Sequence, residues 1–81
     1  MGAASLIPQL AYFIADKHYN SIITPTMLKE LYCISDYTAN MIINLLNKAN
    51  ALENIARGHY KVVKVPSVKE LIKKWNERRL K

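Results

Sequence analysis

The sequence has very little cysteine and no long apolar run, and these absences exclude several classes of protein. Its single cysteine, Cys33, cannot form an intramolecular disulfide, which favours a reducing, cytoplasmic setting. No apolar run approaches the roughly 18–20 residues that cross a bilayer. The first residues also lack the basic region and apolar core of a signal peptide. We therefore expect an intracellular protein with no membrane segment.

Patterns of catalytic and metal-binding residues are missing as well. The two histidines, His18 and His59, lie far apart, and Cys33 has no nearby histidine or aspartate in a known catalytic arrangement. The six acidic residues show no paired spacing. The chain has only two glycines and no glycine-rich phosphate loop, and it has no Cys/His cluster for zinc. We expect no enzymatic activity, no metal and no cofactor.

What the chain does have is an excess of basic residues in one part. Its 81 residues, 51% of them hydrophobic, suffice for one domain with one core. Residues 1–47 hold two lysines and three acidic residues, whereas residues 48–81 hold ten lysines or arginines and three glutamates. The net charge of +6 at pH 7 is therefore concentrated in the second part. This distribution favours a surface that binds a polyanion, and the alternative is a solvated charged tail.

The first 32 residues show two helical segments and one short strand. Apolar residues recur at helical spacing between Ser5, which we take as the N-cap, and Tyr19. Residues 21–23 form a short stretch with β-branched side chains, long enough for one edge strand. Thr24-Pro25 is an N-cap followed by proline at the first helical position, and it predicts a helix that ends near Tyr32. The apolar side of this second helix carries Met27, Leu28 and Leu31.

A third helix is predicted after a turn of about three residues, with Ser35 as its N-cap and Ala49 at its end. Its buried face consists of Ala39, Ile42, Ile43, Leu46 and Ala49. Its opposite face consists of Tyr37, Asn40, Met41, Asn44, Asn47 and Lys48. Leu45 falls outside the buried stripe, and Asn50 can supply the left-handed residue that ends the helix.

The remaining residues predict a hairpin and a basic helix. Strands 52–55 and 59–65 are separated by Ala56-Arg57-Gly58, where glycine permits the turn. Ser67 and Glu70 then form a capping box. The last helix stacks Val68, Leu71, Ile72 and Trp75 on one stripe, and its other positions are mainly lysine and arginine, among them Arg78 and Lys81. Trp75 can belong to the core or to a dimer seam, and the basic residues can bind a polyanion or only keep the protein soluble.

The order helix, strand, helix, turn, helix, hairpin, helix predicts a mostly helical α+β domain over residues 1–81. Several positions of residues 23–64 carry a family resemblance: Thr24-Pro25, Leu28, Leu31, Ile34-Ser35, Ala39, Ile43, Leu46, the junction 46–52, and Arg57-Gly58-His59-Tyr60. This stretch resembles the winged helix-turn-helix family of DNA-binding transcription regulators. The small size and the composition rich in Ile, Lys, Tyr and Asn are similar to proteins of archaeal viruses and plasmids.

The resemblance implies a sequence-specific, cytoplasmic double-stranded DNA-binding protein whose helix 36–49 reads the major groove. The wing and the basic C-terminal part would hold phosphates. Asn40 and Asn44 can each pair with adenine, while Thr26 can donate to a phosphate or serve in capping. The candidate DNA-binding residues are Thr26, Ser35, Tyr37, Asn40, Met41, Asn44, Lys48, Arg57, His59 and Lys61.

The chain departs from the family pattern in two ways. Cys33 and Asn50 stand where the family often has glycine. The reading helix has no lysine or arginine before Lys48, and it carries Asp36 near its start. The alternative is therefore a winged-helix module that binds another protein through this helix.

A homodimer is also expected, because one reading helix covers too few base pairs to mark a site in a genome. The apolar residues expected beyond one small core are Leu6, Ile7, Leu45, Trp75 and Leu80. A two-fold contact between first or last helices would bury them.

Overall fold

Four helices and a three-stranded antiparallel sheet form the fold in the computed structural model, which describes residues 6–79 and the side chains of residues 6–77. In chain order the elements are α1 (Leu6–Lys17), β1 (Ile22–Ile23), α2 (Pro25–Tyr32), α3 (Asp36–Lys48), β2 (Leu52–Ala56), β3 (His59–Val62) and α4 (Val68–Arg79). The predicted α+β class and the predicted order of elements are confirmed. Ser5, the predicted N-cap of α1, and Leu80 lie outside the described residues.

The core surrounds α3, which packs against α1, α2, α4 and β2. Each of these elements turns an apolar face inward, as expected from the periodicity of its sequence. The largest fully buried side chains among the described residues are Pro8, Ile14, Ile23, Leu28, Ile42, Leu45, Leu46, Val62 and Leu71. No polar or charged residue is buried among the described ones. Because α3 packs against four neighbouring elements, its remaining face is held in a fixed position at the surface.

Several predictions of exposure were wrong, and the central position of α3 explains two of them. Leu45 is only 1% exposed, because a helix packed on several neighbours buries a wider arc than one stripe. Met41, placed on the outer face by its spacing, is half-buried against the core for the same reason. Leu31 is instead 58% exposed, since it lies in the last turn of the short helix α2. Ile72, predicted on the buried stripe of α4, is 36% exposed.

The turn between α2 and α3 is fixed by caps at both ends. Oγ1 of Thr24 accepts a hydrogen bond of 3.0 Å from the amide of Met27, which confirms the predicted start of α2. Oγ of Ser35 accepts one of 3.1 Å from the amide of Thr38, which confirms the start of α3. Between them, Cys33 takes the left-handed conformation with φ 54° and ends α2. The two helices are therefore joined by three residues in a defined conformation.

The sheet has the order β1-β3-β2, so β1 is an edge strand as predicted. Ile23 of β1 pairs with Tyr60, and Leu52 of β2 pairs with Val62, so β3 is hydrogen-bonded to a strand on each side. A register shift between Asn54 and Ala56 marks a bulge in β2.

Several predicted boundaries differ from the structure, and β1 and α3 are each one residue shorter than predicted, at Ile22–Ile23 and Asp36–Lys48. α1 ends at Lys17 rather than at Tyr19, because Asn20 adopts a left-handed φ of 69° and turns the chain towards β1. β2 continues one residue further than predicted, to Ala56, and β3 ends at Val62 rather than at residue 65. The hairpin turn consists of Arg57 and Gly58, and Gly58 has the positive φ of 73° expected of a turn glycine.

The last helix begins where the sequence predicted. The amide of Glu70 donates a 3.1 Å hydrogen bond to Oγ of Ser67, the serine half of the predicted capping box. Trp75 is 7% exposed and lies in the core beside Leu71, so the structure places it in the core rather than on an open seam. Among the described helices, none is long and apolar enough to cross a membrane.

Candidate nucleic-acid interface

The outer face of α3 carries a continuous strip of exposed side chains. At 100° per residue, they occupy an arc of about 100° on the side away from the core. They extend over about 16 Å of the helix axis. We call them the α3 strip: Tyr37, Asn40, Asn44, Asn47 and Lys48. Tyr37 is 71% exposed, the highest value among the exposed large hydrophobic side chains that the structure describes. The strip therefore offers uncharged hydrogen-bonding groups along most of its length and one cation at its end.

The two asparagines singled out by the sequence differ in their hydrogen bonding. Nδ2 of Asn40 donates a 2.9 Å hydrogen bond to the main-chain oxygen of Asp36, one turn earlier on the same helix. This bond holds the Asn40 amide along the helix surface. The Asn44 amide is exposed and makes no hydrogen bond with the other described residues. Asn44 can therefore present both its donor and its acceptor to a ligand.

Three further candidate residues, Ser35, Thr26 and Met41, are less available for binding than the α3 strip. The hydroxyl of Ser35 accepts from the Thr38 amide and also donates to Oγ1 of Thr38 at 3.1 Å, so it is occupied by helix capping. Thr26 is exposed at the second position of α2, at the opposite end of that helix from the turn that leads to α3. Met41 is half-buried, which leaves only part of its side chain at the surface.

An ion pair neutralises the acidic residue at the start of α3. Nζ of Lys29 on α2 lies 3.1 Å from Oδ1 of Asp36, and the two side chains are 38% and 73% exposed. Asp36 also lies in the first turn of α3, where a carboxylate interacts favourably with the helix dipole. Its negative charge therefore opposes an approaching polyanion less than the sequence suggested. Sequence analysis did not pair these residues, although they lie seven positions apart across a predicted turn.

Arg57 is exposed at the tip of the hairpin, and hydrogen bonds from side chains of both strands hold the backbone of the turn. Nδ1 of His59 lies 2.9 Å from the main-chain oxygen of Arg57. Nδ2 of Asn54 donates to the main-chain oxygens of Ala56, at 3.1 Å, and of His59, at 3.4 Å. These hydrogen bonds order the turn, so the Arg57 side chain projects from a defined backbone.

Lys61 occupies a different position on the same hairpin. It lies in the central strand β3, with Ile22 of β1 and Glu53 of β2 as its register neighbours. Its side chain is half-buried, and the neighbouring carboxylate reduces the positive potential there. The structure therefore separates Arg57, at the free tip, from Lys61, within the central strand of the sheet.

The basic residues of α4 are distributed over a helix that packs mainly on α1 and α3. Lys69 and Lys73 are exposed on one side of α4. Lys64, which precedes the helix, has its Nζ 3.9 Å from Oε2 of Glu70. The side chain of Arg78 and the whole of Lys81 fall outside what the structure describes. The described part of α4 thus contributes positive charge without joining the α3 strip.

Among the described residues, two titratable groups have a shifted pKa, and neither belongs to the α3 strip: His18, just after α1, and Tyr32, at the end of α2. Nε2 of His18 and the hydroxyl of Tyr32 are joined by a hydrogen bond of 2.7 Å. Burial, followed by the nearby charge of Lys17, lowers the pKa of His18 below 6.5, and burial raises the pKa of Tyr32 above 10.0. Within residues 6–79, no group of three or more His, Cys, Asp or Glu side chains could hold a metal ion.

The described surface therefore combines three features on successive elements. The capped turn fixes α3, the α3 strip is exposed along the helix, and the ordered hairpin presents Arg57. Asn47 belongs to this strip but was not among the candidate residues, although its position on the helical wheel pointed to it. Comparisons with protein-family models, characterised proteins and solved structures give no match. A function for this surface must accordingly be argued from its own geometry and chemistry.

Proposed function

We propose that this chain is a winged helix-turn-helix protein that binds double-stranded DNA in a sequence-specific manner, as an intracellular transcription regulator. The observation that carries the proposal is the α3 strip, which is polar, exposed and mounted on a helix enclosed by the core. The order of elements, the short capped turn between α2 and α3, and the hairpin that pairs with β1 support the same fold. In this proposal α3 is the reading helix and the β2–β3 hairpin is the wing.

The chemistry of the α3 strip suits the edges of bases in the major groove. That groove is about 12 Å wide and accepts an α-helix. The free amide of Asn44 can donate to N7 and accept from N6 of one adenine, which is a bidentate contact. Lys48, one turn further on, can reach guanine or a phosphate. Tyr37 can contact a thymine methyl group or the backbone at the other end of the strip.

The wing supplies affinity rather than sequence discrimination. Arg57 at the ordered tip can form charge-assisted hydrogen bonds with phosphate oxygens. Contacts of this kind fix the position of the protein on the duplex without reading its sequence. The positive charge of residues 48–81 adds long-range attraction to the phosphates. The proposal also includes a homodimer, because two reading helices placed by two-fold symmetry specify a longer site.

The experiment begins with selection of bound duplexes from a random pool, followed by titration of the selected site and a scrambled duplex. Asn44→Ala should weaken binding to the selected site by about 1–3 kcal/mol and leave the scrambled duplex almost unaffected. Asn40→Ala is the matched control, since it removes the same group from the same face. It should cost less than Asn44→Ala, because the Asn40 amide already bonds to Asp36. Fluorescence anisotropy measures both.

Salt dependence tests the proposal independently of sequence. Binding to either duplex should weaken steeply between about 50 and 200 mM salt, because neutralised phosphates release counterions. Equal losses from Asn44→Ala on both duplexes would contradict base reading by α3. If no duplex is bound even at 50 mM salt, DNA binding is wrong, and the α3 strip is better explained as a surface for another protein.

A further inference from the structure

The helix α1 has two apolar faces, of which the fold uses only one. Pro8, Ala11, Ile14 and Ala15 are buried in the core. On a second face, Leu6 is 60% exposed, Leu10 is half-buried and Phe13 is 49% exposed. Their spacing of four and then three residues is that of a helix seam that packs against another helix. We call Leu6, Leu10 and Phe13 the α1 ridge.

The α1 ridge is ordered rather than loosely attached. The ring of Phe13 packs edge-on against that of Tyr32, with centroids 6.0 Å apart and an interplanar angle of 85°. Tyr32 in turn is held by its hydrogen bond with His18. The half-exposed Phe13 ring is therefore fixed in position, and a partner that covers it loses little side-chain entropy.

The charge distribution indicates what can cover this ridge. Copies of a chain with net charge +6 repel one another, and most of that charge belongs to residues 48–81. The exposed charges of α1 are one of each sign, Asp16 and Lys17. Two copies therefore approach each other with least electrostatic repulsion through α1. A basic partner gains no electrostatic attraction at α1, and an acidic partner is attracted instead to the basic residues of 48–81.

We infer that the α1 ridge is a self-association surface, on which α1 of one copy packs antiparallel against α1 of a second copy. A two-fold axis across the ridge places the same residues on both sides, so that Leu6 of each copy meets the region of Phe13 in the other. Three partly exposed side chains cover much less than the roughly 800 Å² per partner of a standard stable interface. The dimer consequently forms at tens to hundreds of micromolar protein when no other ligand holds the copies together.

The inference rests on the homodimer of the proposed function and names its surface. Sedimentation equilibrium over about 10–500 µM protein tests it without DNA, so a failure here removes the dimer and leaves DNA binding by α3 to the anisotropy titrations. The wild-type chain should show a monomer–dimer equilibrium. Leu6→Glu should shift it towards monomer at least tenfold, while an acidic residue in the first turn favours the fold of α1. Leu31→Glu is the matched control, because Leu31 is equally exposed at 58% but lies on α2, outside the α1 ridge. It should dimerise like wild type.

A second measurement keeps the inference testable if a variant is poorly folded. Amide chemical shifts of the wild-type chain, recorded on dilution, should change mainly in Leu6–Lys17 and around Tyr32. A purely monomeric wild-type chain at 500 µM would overturn the inference. So would shift changes centred on α4, or a dimer that survives Leu6→Glu and is lost in Leu31→Glu.

Discussion

At the scale of single residues, the left-handed backbone conformation of residues that follow the helices limits which amino acids fit there. Three residues other than glycine have positive φ: Asn20, Cys33 and Asn50, among those that the structure describes. Asparagine tolerates the left-handed region because its short side chain bonds locally, but cysteine gains no such compensation. Cys33 is therefore the residue at which the turn between α2 and α3 costs most.

Replacing Cys33 by glycine should stabilise the protein. Glycine removes the left-handed penalty, and after its greater loss of backbone entropy the net gain is about 0.5–1 kcal/mol. Urea unfolding measures it. Gly58→Ala is the reverse control and should destabilise by about 1 kcal/mol, because φ is 73° there although no atom lies within 4 Å of the added Cβ. A loss of stability in Cys33→Gly would show that the cysteine side chain contributes more than its backbone costs.

The partial burial of His18, followed by the nearby charge of Lys17, lowers the pKa of its imidazole and predicts a pH dependence of stability. Because folding lowers the pKa of His18, the unfolded state binds a proton more readily than the folded state does. The contribution of His18 to the free energy of unfolding should be fully present above about pH 6.5. It should be lost as the pH drops from 6.5 towards the lower pKa of His18 in the folded state. Urea midpoints at pH 7.5 and 5.5 should therefore differ more in wild type than in His18→Gln, which cannot titrate. Equal differences in the two proteins would contradict this.

At the scale of elements, the sequence predicted caps and turns better than exposures. Thr24 and Ser35 were found because capping depends on a few adjacent residues. The burial of Leu45 was missed, since it depends on how many neighbours surround α3, and the pattern of a single helix does not contain that information. The α3 strip was predicted, like the caps, from a local feature of the sequence, namely the spacing of polar residues along one helix. The engagement of the Asn40 amide and the Lys29–Asp36 pair required the three-dimensional arrangement.

The hairpin allows its two cations to be compared directly. Arg57→Ala should weaken binding to the selected and the scrambled duplex by the same factor, because a phosphate contact carries no base information. Lys61→Ala should have a smaller effect, as Lys61 is half-buried beside Glu53. Anisotropy titrations of both variants at low salt decide this. A change of preferred sequence in Arg57→Ala would mean that the wing tip reads a groove.

At the scale of the whole molecule, Trp75 shows how much one side chain contributes to a small core. It is 7% exposed and belongs to the same cluster as residues of α1 and α3. Trp75→Ala should destabilise the protein by about 3–5 kcal/mol, a large part of the roughly 5–15 kcal/mol typical of a domain. Since Trp75 is the only tryptophan, unfolding should be followed by far-UV circular dichroism. Ile72→Ala, at a position 36% exposed on the same helix, should cost much less.

The hairpin is anchored to the fold away from its tip, so its length can change without a change in the core. Its base is fixed by Leu52 against Val62, and β1 holds the middle of β3 through the pairs Ile22–Lys61 and Ile23–Tyr60. Nothing in the core depends on Arg57 or Gly58. Insertion of two residues in each strand near the tip would move the turn outwards by about 7 Å and keep every side chain on its present face. The length of this arm can therefore vary through short insertions while the core keeps its sequence, and under the proposed function the span of DNA within reach of one copy varies with it.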